Sequence, residues 1–422
     1  MKFSKEGGGL FKLMVIIRPC LCPIAAQEYL LLQLFSSIWF LLGALLCCVL
    51  TKSVDTAYWV VQNCSECTIV GKVSALLGIT SKNNKKKKMS LIKKHAVRLL
   101  LGVLLLAATA YLAIGFYIYS TLTNSDPGCG LDCANTPNNY TDNWVPSDFA
   151  FDQYQVNYWE NHRYAGGDIG ITLDAWWLPV TSAGAGNAPV VIGLHGVRSN
   201  KYDQDMLTVA GMLHQKGFNV LLFDQRDHGD SSVEDGRVSL GTREYRDVIA
   251  SVDWLINEQH IAAERIGLYG ESMGASTAAI AFGMDKRIQS VVLDNGYLDL
   301  QVLIHEELQY QGFPTWLAPG AIWAGTLFAG ESLLDPAPSL AFINHHNRPI
   351  FAMHGTADTR VLPHHTADMA TLGQEQGANL STWFAEDAVH SGVKYLYPKE
   401  FSSRVSTFFA NSLSGTLIPN QD

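Results

Sequence analysis

Cysteine is absent from the greater part of the chain. The eight cysteines among the 422 residues all lie before residue 134, at Cys20, Cys22, Cys47, Cys48, Cys64, Cys67, Cys129 and Cys133. The remainder of the chain therefore has no thiol that could act as a nucleophile. Cys64 and Cys67 form a C-x-x-C pair, but no second pair or histidine pair lies nearby, so we expect no metal or redox site there. The spacing of Cys129 and Cys133 permits a disulfide if their segment lies outside the cytoplasm.

Charged residues are scarce as well, at 16% of the chain, whereas 48% of the residues are hydrophobic. Because about a quarter of the residues in a soluble domain are usually charged, part of this chain is expected in a membrane. Residues 1–133 carry 14 Lys/Arg and 6 Asp/Glu, a formal charge of +8, whereas residues 134–422 carry 16 and 33, a charge of −17. Nucleic-acid binding needs clustered cations, so the acidic part is not expected to have a nucleic-acid partner.

An uncharged, mostly apolar run at residues 99–119 is long enough to cross about 30 Å of hydrocarbon as a helix. The flank before this run is strongly basic, with Lys85, Lys86, Lys87, Lys88, Lys93, Lys94 and Arg98. Residues 120–132 contain no cation, so the positive-inside rule predicts a cytoplasmic N-terminal flank and an extracytoplasmic C-terminal domain. We therefore predict a basic flank and transmembrane anchor at residues 89–123. A cleaved signal peptide ending near Ala110 is the alternative, but apolar residues continue beyond that point, which favours retention.

The N-terminal extension, residues 1–88, allows two interpretations. Residues 29–50 form a second apolar stretch that would give two spans with both ends outside. Alternatively, Met89 begins the protein, because a basic and then apolar sequence follows it, and residues 1–88 are a mis-called extension. Residues 124–148 are rich in Asn, Asp, Pro and Thr and are typical of a flexible stalk, so we expect a folded domain at residues 149–412.

Short apolar segments alternate with helix-like segments throughout that domain. The predicted strands lie at residues 169–178, 189–194, 220–223, 265–269, 290–293, 349–353 and 381–384. The predicted helices lie at residues 203–216, 243–258 and 366–377. This alternation indicates a mostly parallel sheet with helices on both faces and a ligand site at the carboxyl ends of the strands.

One serine lies where a predicted strand meets a predicted helix. A G-x-S-x-G sequence is formed by Gly270, Glu271, Ser272, Met273 and Gly274. It follows the strand at residues 265–269 and precedes a small-residue stretch at residues 275–284. In this motif the serine adopts a strained backbone conformation, and a side chain at either glycine would collide with neighbouring elements. A serine at such a corner can serve as a nucleophile.

Further motifs follow other predicted strands in a consistent order. They are His195-Gly196-Val197, the stretch from Asp224 to Ser231, the Ser272 motif, His354-Gly355 with Asp358, and Ala388-Val389-His390. In this order they resemble the α/β-hydrolase family over about residues 150–410. The resemblance implies a mostly parallel eight-stranded sheet, here preceded by one or two transmembrane helices, and a serine nucleophile followed along the chain by an acid and a histidine.

A serine hydroxyl is a poor nucleophile until a base accepts its proton, and that base needs an acid to fix its tautomer. We predict Ser272 as the nucleophile, His390 as the general base and then acid, and Asp358 as the orienting carboxylate. The chief competitor of Asp358 is Asp294, which ends the strand after the serine; Asp387 is too near His390 in sequence. His354, His364 and His365 compete with His390 as ring donors, and a turn residue is the structural alternative for Asp358.

Two backbone amides are expected to stabilise the tetrahedral intermediate. Met273 supplies one, and the resemblance implies that Val197 supplies the other. His195 and His228, each in a His-Gly turn, are interpreted as structural. No metal-ligand cluster is seen in the sequence, and the Ser272 motif is the one glycine-rich sequence at a strand end, so neither a metal nor a nucleotide cofactor is predicted.

Residues 295–347 leave room for a small cap that contains Trp316 and Trp323, although scattered aromatics more often pack between helices. The sequence thus predicts a serine hydrolase anchored in the cell membrane that cleaves an ester, thioester or amide through an acyl-enzyme. Its expected partners are the bilayer and a small-molecule ester, lipid or peptide substrate. A peptidase resembling the prolyl-oligopeptidase group is one alternative, and a non-catalytic binding module of the same fold is the other.

Overall fold

The computed structural model of the 422-residue chain describes residues 85–125, 127–128, 132–141, 149–180, 187–415 and 417. The chain divides into two compact units, Met1–Val97 and Arg98–Asp422. The apolar stretch at residues 29–50 and the Cys64–Cys67 pair lie outside the described residues, and so does Cys129. Cys133 is disulfide-bonded.

The first described helix, α1, spans Lys85–Leu122. Its segment Val97–Leu122 is 26 residues long, and by length and composition it could cross a membrane. At 1.5 Å per residue this segment is about 39 Å long. It contains the whole of the predicted anchor at residues 99–119.

Eight strands form one sheet in the order β1-β2-β4-β3-β5-β6-β7-β8. The strands are β1 (Glu160–Ala165), β2 (Thr172–Leu178), β3 (Val190–Leu194), β4 (Asn219–Phe223), β5 (Ile266–Glu271), β6 (Ser290–Asp294), β7 (Ile350–Gly355) and β8 (Leu380–Ala385). Strands β3 to β8 are parallel, and β2 pairs antiparallel with both β1 and β4. The eight-stranded, mostly parallel sheet expected from the sequence is therefore confirmed.

The inner strands are apolar on both faces because helices cover both. Val190, Ile192 and Leu194 point into one core, and Val191 points into the other. The helices after α1 are α2 (Gln204–Gln215), α3 (Tyr245–Asn257), α4 (Met273–Met284), α5 (Leu300–Tyr310), α6 (Ala318–Ala329), α7 (Leu340–Ile343), α8 (His364–Gln376), α9 (Val393–Leu396) and α10 (Pro398–Ser412). Short 3₁₀ turns lie at Asp132–Ala134, Phe151–Tyr154, Ala263–Arg265 and Thr315–Leu317. Helices α3, α4 and α8 contribute to the first core, and α2 and α10 to the second.

The region between β6 and β7 forms a third apolar cluster with the end of α1. Ile118 and Tyr119 of α1 are buried there together with Leu300, Ile304 and Leu308 of α5. Residues of α6 complete the cluster. The predicted cap region is therefore occupied by helices that pack on α1.

The segment predicted as a flexible stalk makes contacts with the domain where it is described. The Tyr140 side chain is buried and its ring meets Phe151 edge-on, with centroids 5.5 Å apart. The Ser125 amide donates to the Gly236 carbonyl at 3.2 Å, and the Asn135 side chain donates to the Tyr202 carbonyl at 3.1 Å. Composition alone did not reveal these anchors, because one buried ring and a few hydrogen bonds hold an otherwise polar segment in place.

Candidate active site

Strand β5 ends in a tight corner at Ser272. This serine has φ 56° and ψ −120°, which is the strained conformation expected of the motif. Its amide donates to the Asp294 carbonyl at 2.8 Å, which ties the corner to β6. A Cβ at Gly270 would collide with the Gly274 backbone, and a Cβ at Gly274 would collide with the Leu194 carbonyl. Both glycines are therefore needed for the serine to stand at this corner.

His390 follows β8 and reaches the serine across the carboxyl edge of the sheet. Its Nε2 lies 3.0 Å from Ser272 Oγ, and its Nδ1 lies 2.7 Å from Asp358 Oδ2. The imidazole is 24% exposed, whereas the Asp358 side chain is fully buried. The structure thus brings together the three side chains that the sequence placed 118 and 32 residues apart. In this arrangement Nδ1 donates to the carboxylate, which leaves the Nε2 lone pair to accept the serine proton.

The Asp358 carboxylate is held by several donors. Its Oδ1 accepts the backbone amides of Arg360 at 2.8 Å and Val361 at 3.0 Å. Its Oδ2 accepts from Asn295 Nδ2 at 2.6 Å and lies 3.2 Å from His354 Nε2. Burial would raise the pKa of this carboxyl, but hydrogen bonds from His354 and from the His390 imidazole outweigh burial and lower the pKa below its ordinary value. The carboxylate is therefore ionised at neutral pH.

The competing acids and histidines have other partners. Asp294 accepts the Tyr269 hydroxyl at 2.6 Å, and burial raises the pKa of its carboxyl. His364 and His365 both contact Glu306 on α5. His354 Nε2 lies 2.8 Å from the Val361 carbonyl and 3.2 Å from Asp358 Oδ2, and its Nδ1 lies 2.8 Å from the Thr366 hydroxyl, so both ring nitrogens have partners other than the serine.

The loop after β3 lies against the serine. A Cβ at Gly196 would lie 3.3 Å from Ser272 Cβ. His195 holds this loop, because its Nε2 accepts the Gln225 amide at 3.1 Å and its Nδ1 therefore donates to the Gly196 carbonyl at 2.8 Å. Burial lowers the pKa of His195, which keeps the ring neutral in this role. His228 packs edge-on against His195, with ring centroids 4.8 Å apart.

Val197 and Met273 line the same cavity as the serine. Among the described residues, neither amide is engaged in a hydrogen bond with another group of the chain. Two such donors beside one hydroxyl could stabilise an oxyanion without reorganising.

A cavity of about 260 Å³ opens beside Ser272. Much of its wall is aliphatic, with Leu122, Val197, Leu240, Leu303, Ile304 and Val361. A Glu307–Arg360 ion pair lies in the same wall. Leu122 is the last residue of α1, so α1 and the cap region both contribute to the cavity.

A buried charged network lies beneath the corner, and sequence reasoning missed it. Lys394 Nζ contacts Glu271 Oε2 at 2.7 Å and Asp205 Oδ1 at 3.6 Å. Burial would lower the pKa of this ammonium, but the Asp205 and Glu271 charges raise it above its ordinary value. Nearby, burial and the same two carboxylates raise the pKa of Asp203 to about 8. The residues of this network lie far apart in sequence, so no local pattern predicts it.

Two side-chain groups in the described part of the chain have donors suited to a metal. Asp174, Asp224 and Asp230 surround Lys201 Nζ, which lies 3.0, 2.7 and 2.9 Å from them. The Lys201 ammonium thus occupies the position that a metal cation would take. The second group, Glu306 with His364 and His365, is bridged by hydrogen bonds from both rings to the carboxylate.

Comparison with known proteins gives a match to the model of the prolyl oligopeptidase family over residues 205–416. An esterase of Pyrococcus furiosus has a similar structure: the TM-score is 0.51 and the identity 26%, over 64% of this chain and 97% of the esterase. An uncharacterized protein of Mycobacterium tuberculosis is 28% identical over 189 residues, which are 45% of this chain and 58% of that protein. The chain thus spans little more than half the length of that relative. A thiohydrolase of Aspergillus aculeatus is 31% identical over 110 residues, which are 26% of this chain and 34% of the thiohydrolase.

Proposed function

Because this chain belongs to the prolyl oligopeptidase family and is a serine hydrolase of the α/β-hydrolase superfamily, we propose that it cleaves carboxylic esters or thioesters through an acyl-enzyme on Ser272. The observation that carries this assignment is the line of hydrogen bonds from Ser272 Oγ through the His390 ring to Asp358. Each role in the reaction follows from this line.

His390 Nε2 takes the serine proton as Ser272 Oγ attacks the carbonyl carbon of the substrate. Asp358 stabilises the resulting imidazolium and keeps the ring in place. The imidazolium then protonates the leaving alkoxide or thiolate, and the acyl group remains on the serine. In the second half of the reaction the same ring deprotonates a water molecule, which hydrolyses the acyl-enzyme.

The Val197 and Met273 amides are proposed as the oxyanion donors. Removal of one oxyanion donor in a serine hydrolase costs about 10²–10³ in kcat. His195 acts here as a positioning residue, because its bond to the Gly196 carbonyl fixes the turn that presents the Val197 amide.

The aliphatic wall beside Ser272 favours an acyl chain over a peptide as the bound group. The similarity to an esterase and to a thiohydrolase is in line with this preference. An apolar chain would gain about 25 cal/mol for each Å² removed from water in such a cavity.

A peptidase is the second candidate. The family match favours it, and the Glu307–Arg360 pair in the cavity wall offers both charges to a peptide terminus. The two candidates differ in the group that leaves, because an amine is a poorer leaving group than an alkoxide or thiolate and needs its proton earlier in the reaction.

A substrate panel separates the candidates. Purified full-length chain is given p-nitrophenyl esters of graded acyl length and dipeptide p-nitroanilides, with Ser272→Ala as the matched control. We expect ester turnover that the Ser272→Ala variant lacks, and kcat/KM higher for the esters than for the anilides. Higher kcat/KM for the anilides would establish the peptidase instead. No turnover of either class would favour the non-catalytic binding module.

We also propose that the Val97–Leu122 segment of α1 anchors the chain in the cell membrane with the catalytic domain outside the cytoplasm. The length and apolar composition of the segment support this proposal, as do the cations that precede it. Protease added to intact cells is expected to degrade the catalytic domain. Degradation only after lysis would contradict the outward orientation, and recovery of the protein in the soluble fraction would contradict the anchor.

A further inference from the structure

Helix α6 and the turn before it carry large apolar side chains on their outer surface. Trp316 is 54% exposed, Leu327 is 72% exposed and Phe328 is 61% exposed. Trp316 lies in the turn before α6, and Leu327 and Phe328 lie in the last turn of the helix. An apolar patch of this kind on a folded domain marks a surface that another apolar phase or molecule covers.

The patch is continuous with α1, because α6 packs directly on that helix. The Tyr111 and Trp316 rings stack with centroids 6.0 Å apart, and the Phe116 and Phe328 rings lie 4.4 Å apart. A Cβ at Gly115 would collide with the carbonyl of Gly320, so the two backbones touch. This close approach through paired glycines is the packing that apolar helices use in membranes.

The packing of α6 on α1 determines the depth at which the patch would lie in the bilayer. Trp316 meets Tyr111, and a Cβ at Gly325 would lie 2.8 Å from the Tyr119 ring, so the two helices run side by side in the same direction. The eight residue steps from Tyr111 to Tyr119 rise about 12 Å along the axis. Both tyrosines belong to the segment Val97–Leu122. If this segment spans the bilayer, the outer face of α6 lies in the leaflet next to the catalytic domain.

The level of the leaflet surface is marked by a cation. The Arg237 guanidinium lies 5.3 Å from the centroid of the Tyr119 ring and 5.8 Å from that of Phe116. Arginine and tyrosine are typical of the boundary between hydrocarbon and headgroups. The boundary would therefore fall near Tyr119, one turn before α1 ends.

The end of α1 is joined to the loop of the active site. Arg198 follows Val197 in the chain, and its guanidinium donates to the carbonyls of Thr121 at 2.8 Å and Asn124 at 3.1 Å. The Val238 amide donates to the Thr123 carbonyl at 2.7 Å. The cavity beside the serine is thus held against the end of the helix, where Leu122 forms part of its wall.

We propose that the outer face of α6 inserts into the adjacent leaflet and that the substrate is an acyl ester dissolved in that leaflet, which enters the cavity past Leu122. This inference rests on the proposed hydrolase activity and on the proposed anchor. It names the bilayer as the partner that covers the patch, and an amphiphile with one long acyl chain as the substrate class. The acyl chain of the substrate would pass from the hydrocarbon to the aliphatic wall of the cavity across the one helical turn that separates Tyr119 from Leu122.

The test compares two substrates in one preparation. Full-length chain is reconstituted in palmitoyl-oleoyl-phosphatidylcholine vesicles and assayed with soluble p-nitrophenyl acetate and with p-nitrophenyl palmitate dissolved in the vesicles. The Trp316→Lys variant places a charge at the level of Tyr111, about 12 Å below the boundary, at a side chain that is 54% exposed and does not line the cavity. Ile343→Lys is the matched control, because Ile343 is 53% exposed on α7, whose Ala341 and Phe342 pack in the first core and not in the cluster that contains α6.

We expect Trp316→Lys to hydrolyse acetate at the wild-type rate and palmitate about tenfold more slowly, since a lysine within the hydrocarbon disfavours insertion. Ile343→Lys should match the wild type on both esters. Equal palmitate hydrolysis by Trp316→Lys and the wild type would overturn the proposal. Failure of the wild type on both esters would instead overturn the proposed function.

A second measurement does not depend on activity. Phosphatidylcholine with a dibrominated acyl chain quenches tryptophan that lies within the leaflet. The Trp316→Phe variant should lose part of the quenched fluorescence of the wild type, whereas Trp254→Phe, which removes a buried side chain of the domain core, should not. Unchanged quenching in Trp316→Phe would show that the patch faces water.

Discussion

Replacing Asp358 by asparagine tests the arrangement of the site in detail, because the two side chains have the same shape and differ in hydrogen bonding. The two backbone amides on Oδ1 are fixed donors, so the asparagine oxygen is expected to remain with them. The new amide group then faces His390, and Nδ1 must accept a hydrogen bond instead of donating one. The ring proton moves to Nε2, which can no longer accept the proton of Ser272.

The loss can be estimated from the geometry. With the wrong tautomer facing a hydroxyl 3.0 Å away, the serine has no base, and kcat should fall about 10³- to 10⁴-fold. At about 1.36 kcal/mol per factor of ten, this is about 4–5.5 kcal/mol of transition-state stabilisation. The oxyanion donors and the cavity remain, so some turnover above the rate in water should persist.

The assay is kcat for p-nitrophenyl acetate, measured on protein whose circular dichroism matches the wild type. Asp294→Asn is the matched control, because its carboxyl is bonded to Tyr269 and not to the imidazole. We expect the control to retain kcat within a factor of about ten. Retention of more than a tenth of kcat by Asp358→Asn, or an equal loss in Asp294→Asn, would refute the assigned roles.

Three further predictions concern stability. The pKa of Asp203, raised to about 8, means that the stability contributed by this carboxyl is fully present below about pH 4 and is lost as the pH rises to 8. Asp203→Asn, which resembles the protonated acid, should therefore have a higher Tm than the wild type at pH 9 and a similar Tm at pH 4. Gly274→Ala should lower the free energy of unfolding by about 1–3 kcal/mol in urea titrations, since its Cβ meets the Leu194 carbonyl; an unchanged midpoint would contradict the tight corner. Lys394→Met should cost about 3–5 kcal/mol in the same titration, because it leaves Glu271 buried without its cation; a neutral effect would show that the network is not a stabilising one.

The strands of the sheet could be predicted because helices cover both faces. Such strands are continuous apolar runs, and seven of the eight were found within a few residues of their observed ends. The exception is β1 (Glu160–Ala165), which lies at the edge of the sheet and alternates half-buried with exposed residues. Its sequence is largely polar, and its place depends on pairing with β2, so hydrophobic periodicity gave no signal.

The residues of the candidate site were likewise predicted only in part. Ser272, Asp358 and His390 were predicted because each follows a strand in a motif with a known order. Asn295 and Lys394 were missed, since they act through partners 63 and 123 residues away in sequence. The packing of α6 on α1 was also out of reach, because paired glycines identify a contact only when both helices are already placed.

The most direct test of the account is reaction of the full-length chain with diisopropyl fluorophosphate, followed by intact mass and peptide mapping. A nucleophilic serine next to a base should gain one phosphoryl group, and we predict a single adduct on Ser272. The adduct should be absent from Ser272→Ala and should form far more slowly in His390→Ala. No adduct, or an adduct on another serine at an unchanged rate, would contradict the claim that Ser272 is activated by His390.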